Sequence, residues 1–131
     1  MSEINLGIIG GGQLGSMLSE AAKKLNINTI IYCDDKEAPA QNFCNHFIYG
    51  DYDDKDKIKE FVDKVDLITY EFENIPYETL NEMNKIKTVL PRPSVNKLIQ
   101  HRLAEKDFIN KLNLRTTRYV SVEKKSDLDS L

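Results

Sequence analysis

Three glycines near the beginning of the sequence, Gly10, Gly12 and Gly15, have the GxGxxG spacing of loops that cradle phosphate groups. Glycine permits a tight turn and close approach of a ligand, and a helix that starts after the turn offers free N–H groups to an anion. With Gly11, these residues form the candidate ligand loop. Asp34 lies 19 residues after Gly15, where a dinucleotide-binding protein places the acid that binds a ribose hydroxyl. The loop therefore predicts a ligand site, whereas Asp34 is more simply a solvent-exposed residue at the end of a strand.

A second candidate group lies in the segment YEFENIP, residues 70–76, which begins as a predicted strand ends. Glu71 and Glu73 are two residues apart and would point the same way if the strand continued. In a doubly wound sheet this segment lies beside the first strand, at the crevice where ligands bind. Two carboxylates there would repel a pyrophosphate but would suit amines and sugar hydroxyls. We therefore predict that Glu71 and Glu73 bind substrate; for Glu73, the alternative is an acid that only stabilises the start of the next helix.

The elements that must position these residues alternate along the chain between short apolar runs and amphipathic segments. Strands are predicted at residues 4–9, 29–33, 47–49, 66–70, 88–90 and 119–122. Helices are predicted at residues 13–25, after an N-cap at Asp53 or Asp54, from Pro76, and from Ser94 to about Leu112. This alternation predicts an α/β fold, a Rossmann-like parallel sheet with helices on both faces. We expect residues 1–113 to form this domain and residues 114–131 to begin a connection to a further part of a larger protein.

The composition indicates one soluble globular domain without a basic surface. The 131 residues are 40% hydrophobic and 30% charged, with a formal net charge of -3, which gives no general attraction to nucleic acid or to an anionic membrane. No apolar run approaches the roughly 20 residues that a membrane helix needs, and the first residues lack a signal-peptide pattern, so we expect a cytoplasmic protein. Cys33 and Cys44 form no metal-binding pattern with His46 or His101, and we expect both to be reduced, non-catalytic thiols.

Six segments, taken together in their order and spacing, resemble those of one enzyme family. They are GIIGGGQLG, the APA of residues 38–40, GDYDD, TYEFENIP, RPS and QHRLAEKDFINKL. They resemble the amino-terminal, pre-ATP-grasp domain of N5-carboxyaminoimidazole ribonucleotide synthetases, the ATPase subunit of phosphoribosylaminoimidazole carboxylase in purine biosynthesis. A more distant resemblance is to the glycinamide ribonucleotide formyltransferase that uses ATP. The first resemblance spans nearly the whole chain and implies an ATP-grasp ligase that carboxylates 5-aminoimidazole ribonucleotide with bicarbonate. It also implies that the glycine loop faces this ribonucleotide instead of NAD.

The resemblance also implies roles for individual residues. Gln13 and Leu14 would line the ribonucleotide site, Glu71 would contact the same ligand, and Arg102 would contact ATP. Three of them have simpler alternatives: Gln13 as an exposed first-turn residue, Leu14 as part of the core, and Arg102 as a solvated arginine of a charged helix. Ser16 stands where members of this family often carry arginine, which removes the basis for an ionic contact from that position.

ATP and magnesium are the cofactors that the resemblance implies, and both would be bound mainly by an ATP-grasp domain outside these 131 residues. Phosphoryl transfer depends on cations and metal that neutralise charge, so we expect the chain alone to be inactive, without a catalytic residue or metal site. We expect it to bind a small ribonucleotide, as a homodimer or in association with a separate ATP-grasp part. The rival prediction is a stand-alone Rossmann domain that binds NAD or an adenine nucleotide for regulation, with Asp34 on the ribose. A third is the NAD-binding half of a dehydrogenase.

Overall fold

The computed structural model describes residues 4–129, and the chain divides into two compact units, Met1–Lys97 and Leu98–Leu131. The strands are β1 (Asn5–Ile9), β2 (Asn28–Cys33), β3 (His46–Tyr49) and β4 (Leu67–Tyr70). The helices are α1 (Gln13–Lys24), α2 (Lys55–Lys64), α3 (Tyr77–Asn84), α4 (Pro93–Ile99), α5 (Arg102–Lys111) and α6 (Lys125–Leu128), with a 3-10 turn at Pro39–Asn42. No helix within residues 4–129 combines the length and the apolar character that a membrane crossing needs. The domain boundary expected after residue 113 stays a prediction.

The four strands form one parallel sheet with the order β3-β2-β1-β4. Ile8 of β1 lies opposite Ile31 of β2 on one side and opposite Thr69 of β4 on the other. The chain moves from β1 outward to β3 and then returns to the other side of β1, so the strand order reverses between β1 and β4. Open sheets of this kind bind ligands at the reversal, outside the carboxyl ends of the strands. The predicted α/β fold with a parallel sheet is confirmed.

Alternate residues along the strands enter two different apolar clusters, because successive side chains of a strand point to opposite faces of the sheet. Ile9, Tyr32 and Ile68 belong to the larger cluster, which includes Phe61 of α2 and Leu80 of α3. The smaller cluster contains the buried residues Ile8, Ile31, Cys33, Ala38 and Ala40. Both faces of β1 are therefore buried, which holds the start of the glycine loop in a fixed position.

Helix α1 buries its small residues and leaves its larger apolar residues exposed. The buried residues of α1 are Gly15, Ser16, Ser19 and Ala22. The larger apolar residues that share the helical spacing are between 38% and 71% exposed: Leu14, Met17, Leu18 and Leu25. A Cβ atom at position 15 would lie 2.7 Å from the carbonyl oxygen of Gly10, so the helix is too close to the loop for a larger side chain there.

Two of the predicted strands are absent from the described part of the chain. Residues 88–90 form only a single bridge, in which Val89 pairs with Ile68 of β4. Pro91 follows directly, and because proline has no N–H group it cannot continue the ladder. Residues 119–122 lie in irregular structure. The sheet consequently has four strands, with β4 at the edge beyond β1.

The long helix predicted from Ser94 to about Leu112 is divided into α4 and α5. His101 lies between them with an extended backbone, and its Nδ1 atom accepts a hydrogen bond from the N–H group of Ala104 at 3.3 Å. This contact caps α5 and satisfies one of the N–H groups that a new helix leaves unpaired. A break at His101 therefore costs less than an uncapped interruption would.

The GDYDD segment supplies the N-cap of α2, and the structure decides between its two candidates. Asp54 accepts a hydrogen bond from the N–H group of Lys57 at 3.0 Å. We predict that Asp54→Ala lowers the free energy of unfolding by about 1 kcal/mol, measured by urea denaturation. Asp53→Ala is the matched control, since it removes the same charge from a neighbouring exposed position and should cost less than about 0.5 kcal/mol. Equal losses in the two variants would contradict this assignment of the cap.

Candidate functional site

The glycine loop turns directly from β1 into α1. The N–H group of Gly10 donates a hydrogen bond to the carbonyl oxygen of Tyr32 at 2.9 Å, which carries the β1–β2 pairing into the loop. Gly10 then adopts a φ of +106°, a region that side-chain-bearing residues rarely enter. Gly12 is the N-cap of α1 but has no side chain with which to cap it. The N-terminus of this twelve-residue helix thus needs acceptors from elsewhere.

Glu71 supplies such an acceptor from the neighbouring strand. Its N–H group donates to the carbonyl oxygen of Ile9 at 3.2 Å, so the residue stands at the carboxyl end of β4 beside the loop. Its carboxylate accepts a hydrogen bond from the N–H group of Gly12 at 3.2 Å. A Cβ atom on Gly10 would lie only 2.6 Å from the same carboxylate oxygen. The structure therefore brings Glu71 onto the loop, as the predicted strand order required, while its role in binding substrate stays a prediction.

Glu73 is placed differently from Glu71. Strand β4 ends at Tyr70, so the condition under which Glu71 and Glu73 would point the same way is not met. Glu73 lies in the exposed turn between β4 and α3. A helix-start role and a substrate-binding role both remain predictions for this residue.

Asn96 of α4 holds the segment that follows Glu71, and the sequence analysis missed it. The side chain of Asn96 is fully buried, and its amide nitrogen donates to the carbonyl oxygen of Ile75 at 2.9 Å. Ile75 is itself fully buried in the larger apolar cluster. This pair fixes the end of the YEFENIP segment between the sheet and α4. The available signal was an amide residue two positions after Ser94, in the first turn of the predicted helix, which indicates no function without the contact.

Gln13 and Leu14 form the first turn of α1 next to Gly12, and both are exposed. Leu14 has 54% of its surface accessible, so the alternative that it belongs to the core is wrong. Ser16 is buried, and its hydroxyl donates to the carbonyl oxygen of Gly12 at 3.1 Å. The polar side chain of Gln13 and the apolar side chain of Leu14 therefore lie on the solvent side of the loop, whereas the side chain of Ser16 points inward.

Arg102 belongs to the second compact unit, where it is the first residue of α5. Its guanidinium contacts the carboxylate of Glu105 at 2.6 Å, and 77% of its side chain is exposed. An ion pair between residues three positions apart on one helix contributes little stability when one partner is largely exposed. Its contact with ATP stays a prediction.

The carboxyl edge of the sheet is strongly acidic. Burial raises the pKa of the Tyr52 hydroxyl well above its ordinary value, and the charge of Asp34 and a hydrogen bond to that residue raise it further. Burial likewise raises the pKa of Tyr32, followed by the charges of Asp54 and Asp51. Asp34 is exposed and follows β2 directly, so it faces solvent at the end of that strand. A polyanionic ligand would meet repulsion along this edge.

Metal-binding geometry was not expected in the chain. Among residues 4–129, no group of three or more histidine, cysteine, aspartate or glutamate side chains is placed to hold a metal ion. Because magnesium is usually bound through one or two carboxylates together with water and substrate phosphates, the magnesium implied by the resemblance stays a prediction.

A parallel sheet with a glycine loop and a carboxylate at its strand-order reversal defines a Rossmann-like α/β domain. The family model for the ribonucleotide synthetase preATP-grasp domain matches residues 1–100 of this chain. The chain therefore belongs to the family of ribonucleotide synthetase pre-ATP-grasp domains.

Relatives and solved structures agree with this assignment. The chain is 37% identical over 123 residues to an N5-carboxyaminoimidazole ribonucleotide synthase of Brucella melitensis, a match that covers 94% of the chain and 34% of the relative. It superposes with a TM-score of 0.89 and 30% identity on the N5-carboxyaminoimidazole synthetase of Staphylococcus aureus complexed with ADP, covering 98% of this chain and 35% of that one. The synthase of Aspergillus clavatus, in complex with ADP and 5-aminoimidazole ribonucleotide, gives a TM-score of 0.74 and 27% identity over 84% of this chain and 30% of that one. The chain thus spans about a third of the length of these proteins.

We predict that Gly10→Ala destabilises the fold by about 1–3 kcal/mol, because alanine is strained at this φ and its Cβ would meet the Glu71 carboxylate. Gly12→Ala is the matched control: its φ is -74° and its Cβ would lie 3.3 Å from the same oxygen. Urea denaturation followed by circular dichroism measures both variants. A loss for Gly12→Ala as large as that for Gly10→Ala would contradict the argument from conformation.

The thiols of Cys33 and Cys44 are both free, and burial raises the pKa of each. A raised pKa leaves less thiolate at pH 8, so we predict that both react with iodoacetamide more slowly than free cysteine. The rate should rise as the pH increases through the raised pKa values, and denaturation in urea should abolish the protection. Rapid alkylation of the folded chain at pH 8 would show that a thiol is activated and not merely buried.

Proposed function

We propose that this chain is the ribonucleotide-binding part of an ATP-dependent ligase that carboxylates 5-aminoimidazole ribonucleotide with bicarbonate to give N5-carboxyaminoimidazole ribonucleotide in purine biosynthesis. The observation that carries the proposal is the contact between the Glu71 carboxylate and the Gly12 N–H group, in a chain of this family. Through this contact the Glu71 carboxylate lies at the loop as an acceptor for ribose hydroxyls or an amine. A dinucleotide-binding loop would instead need this position to be open to a phosphate.

The residues around Glu71 support binding of a nucleoside-like ligand. Gln13 offers both a hydrogen-bond donor and an acceptor at the start of α1. Leu14 presents an exposed apolar surface next to it, suited to a heterocyclic ring. We assign Glu73, on the exposed turn beyond β4, to the outer rim of the same site. Gly10, Gly11, Gly12 and Gly15 provide the closely packed loop on which these groups stand.

The proposed reaction divides its chemistry between this chain and the remainder of the enzyme. The γ-phosphoryl group of ATP passes to an oxygen of bicarbonate, giving carboxyphosphate and ADP. The exocyclic amine of the ribonucleotide then attacks the carboxyl carbon, phosphate leaves, and the amine loses a proton. Charge neutralisation during phosphoryl transfer requires cations and magnesium. The acidic sheet edge is unsuited to that task, so this chain binds and orients the ribonucleotide while an ATP-grasp part holds ATP and the metal.

The proposal includes finer assignments. Residues 1–113 form the substrate-binding domain, and residues 114–131 lead towards the ATP-grasp part. Arg102 adds one contact with ATP from this chain to those made by the ATP-grasp part. The whole enzyme acts in the cytoplasm as a homodimer or through association with that part. The structure of the Staphylococcus aureus relative with ADP, and that of the Aspergillus clavatus relative with ADP and the ribonucleotide, support a nucleotide and a ribonucleotide as the two ligands.

The rival of a regulatory domain for NAD or an adenine nucleotide is disfavoured by one contact. The Glu71 carboxylate occupies the glycine loop on which a pyrophosphate would lie. The third interpretation, half of a dehydrogenase, requires the same dinucleotide site and is disfavoured for the same reason.

We predict that the chain binds 5-aminoimidazole ribonucleotide saturably in isothermal titration calorimetry and that Glu71→Ala weakens this binding about tenfold or more. The expected loss follows from removing a charged acceptor, whose hydrogen bonds contribute about 1.5–3 kcal/mol each. Asp53→Asn is the control, because it removes one charge from the same edge without touching the loop in the structure. Saturable binding of NADH without binding of the ribonucleotide would contradict the proposed function and favour the regulatory domain.

A further inference from the structure

The Glu71 carboxylate stands where the phosphate of a dinucleotide would be expected. In GxGxxG loops, the backbone amides at the start of the helix receive the pyrophosphate. Here the Gly12 N–H group donates to Glu71, which comes from a residue 59 positions further along the chain. The carboxylate also lies against Gly10, where a Cβ atom would be 2.6 Å from its oxygen. The space that the glycines leave open beside the backbone is thus filled by an internal anion.

The position of Glu71 is held from several directions, so its carboxylate is not simply a mobile surface group. The Glu71 N–H group is hydrogen-bonded to Ile9 of the buried strand β1. Four residues later the buried Asn96 side chain anchors the carbonyl group of Ile75. The side chain of Glu71 is itself partly buried. A ligand phosphate would have to displace a charged group whose backbone is fixed on both sides.

We propose that Glu71 is a specificity-determining residue that closes the glycine loop to diphosphate ligands. A phosphate near the loop would lose the amide already used by Glu71 and would face a carboxylate at close range. An uncharged hydroxyl or amine, by contrast, can donate to the free lone pairs of the carboxylate without displacing it. The loop therefore keeps the dinucleotide spacing while rejecting dinucleotides. This inference depends on the contacts of Glu71 alone and does not require the proposed function.

A simpler role for Glu71 makes a different prediction. As Gly12 lacks a capping side chain, Glu71 could serve only as a cap that stabilises α1. Removing a cap lowers stability, but it creates no affinity for a new ligand. If Glu71 instead blocks the loop, removing its carboxylate should create affinity for a diphosphate ligand. Binding of diphosphates by variants of Glu71 separates the two roles.

The experiment measures binding of inorganic pyrophosphate and of NADH to the whole chain by calorimetry at low ionic strength. We expect no saturable binding by the wild type and a gain of affinity of about tenfold or more in Glu71→Ala. Glu71→Gln retains the size of the side chain and an acceptor for Gly12 while losing the charge, and it should show a smaller gain. It also keeps the inference testable if the alanine variant fails to fold. Asp53→Asn controls for the general loss of one negative charge and should bind like the wild type.

The inference is overturned if a variant of Glu71 that retains the native circular dichroism spectrum and cooperative unfolding binds the two probes no more tightly than the wild type. It is also overturned if Asp53→Asn gains as much affinity as the Glu71 variants, since the effect would then be one of net charge. Neither probe contains the aminoimidazole group. Failure here therefore leaves the ribonucleotide proposal standing, and failure of the wild type to bind the ribonucleotide leaves this inference standing.

Discussion

The hydrogen bond from the Gly12 N–H group to the Glu71 carboxylate depends on one topological constraint, the placement of β4 directly beside β1. Because both strands are parallel and in register, their carboxyl ends meet, and the first residue after β4 reaches the loop that follows β1. The acceptor for the start of α1 and the filling of the glycine loop both follow from the position of β4 beside β1. A different strand order would leave the same sequence motif with an unoccupied loop.

This arrangement explains why a GxGxxG spacing specifies backbone geometry better than it specifies a ligand. The glycines are required because the backbone turns sharply at Gly10 and because α1 approaches the loop closely at Gly15. Neither requirement involves a phosphate. The chemistry of the site is set by what the adjacent strand contributes, and here it contributes a carboxylate instead of leaving the amides free. Membership in the ribonucleotide synthetase pre-ATP-grasp family is consistent with a loop of this kind put to a different use.

The outer surface of α1 reflects the same close packing. Its small residues face inward because the helix lies near the loop and the sheet, which leaves the larger apolar side chains on the exposed side. Leu14 is the member of this set that stands beside Gly12 and therefore beside the candidate site. Helical periodicity records the spacing of the apolar residues of α1 and not their distance from the neighbouring element, so it could not tell which of them are buried.

The sequence by itself determined the alternation of strands and helices, the strand-turn-helix at the loop and the presence of a cap in GDYDD, because these depend on residues close together in the chain. It also carried the family resemblance, which spans many local motifs. Only the tertiary structure decided that Asp54 is the cap, that Val89 forms one bridge instead of a strand, and that Leu14 is exposed. It alone showed that Glu71 accepts from Gly12 and that Asn96 anchors Ile75. The last two contacts join residues that are far apart in the chain. Local propensity and periodicity describe neighbouring residues only, so they cannot predict which distant residues come together in space.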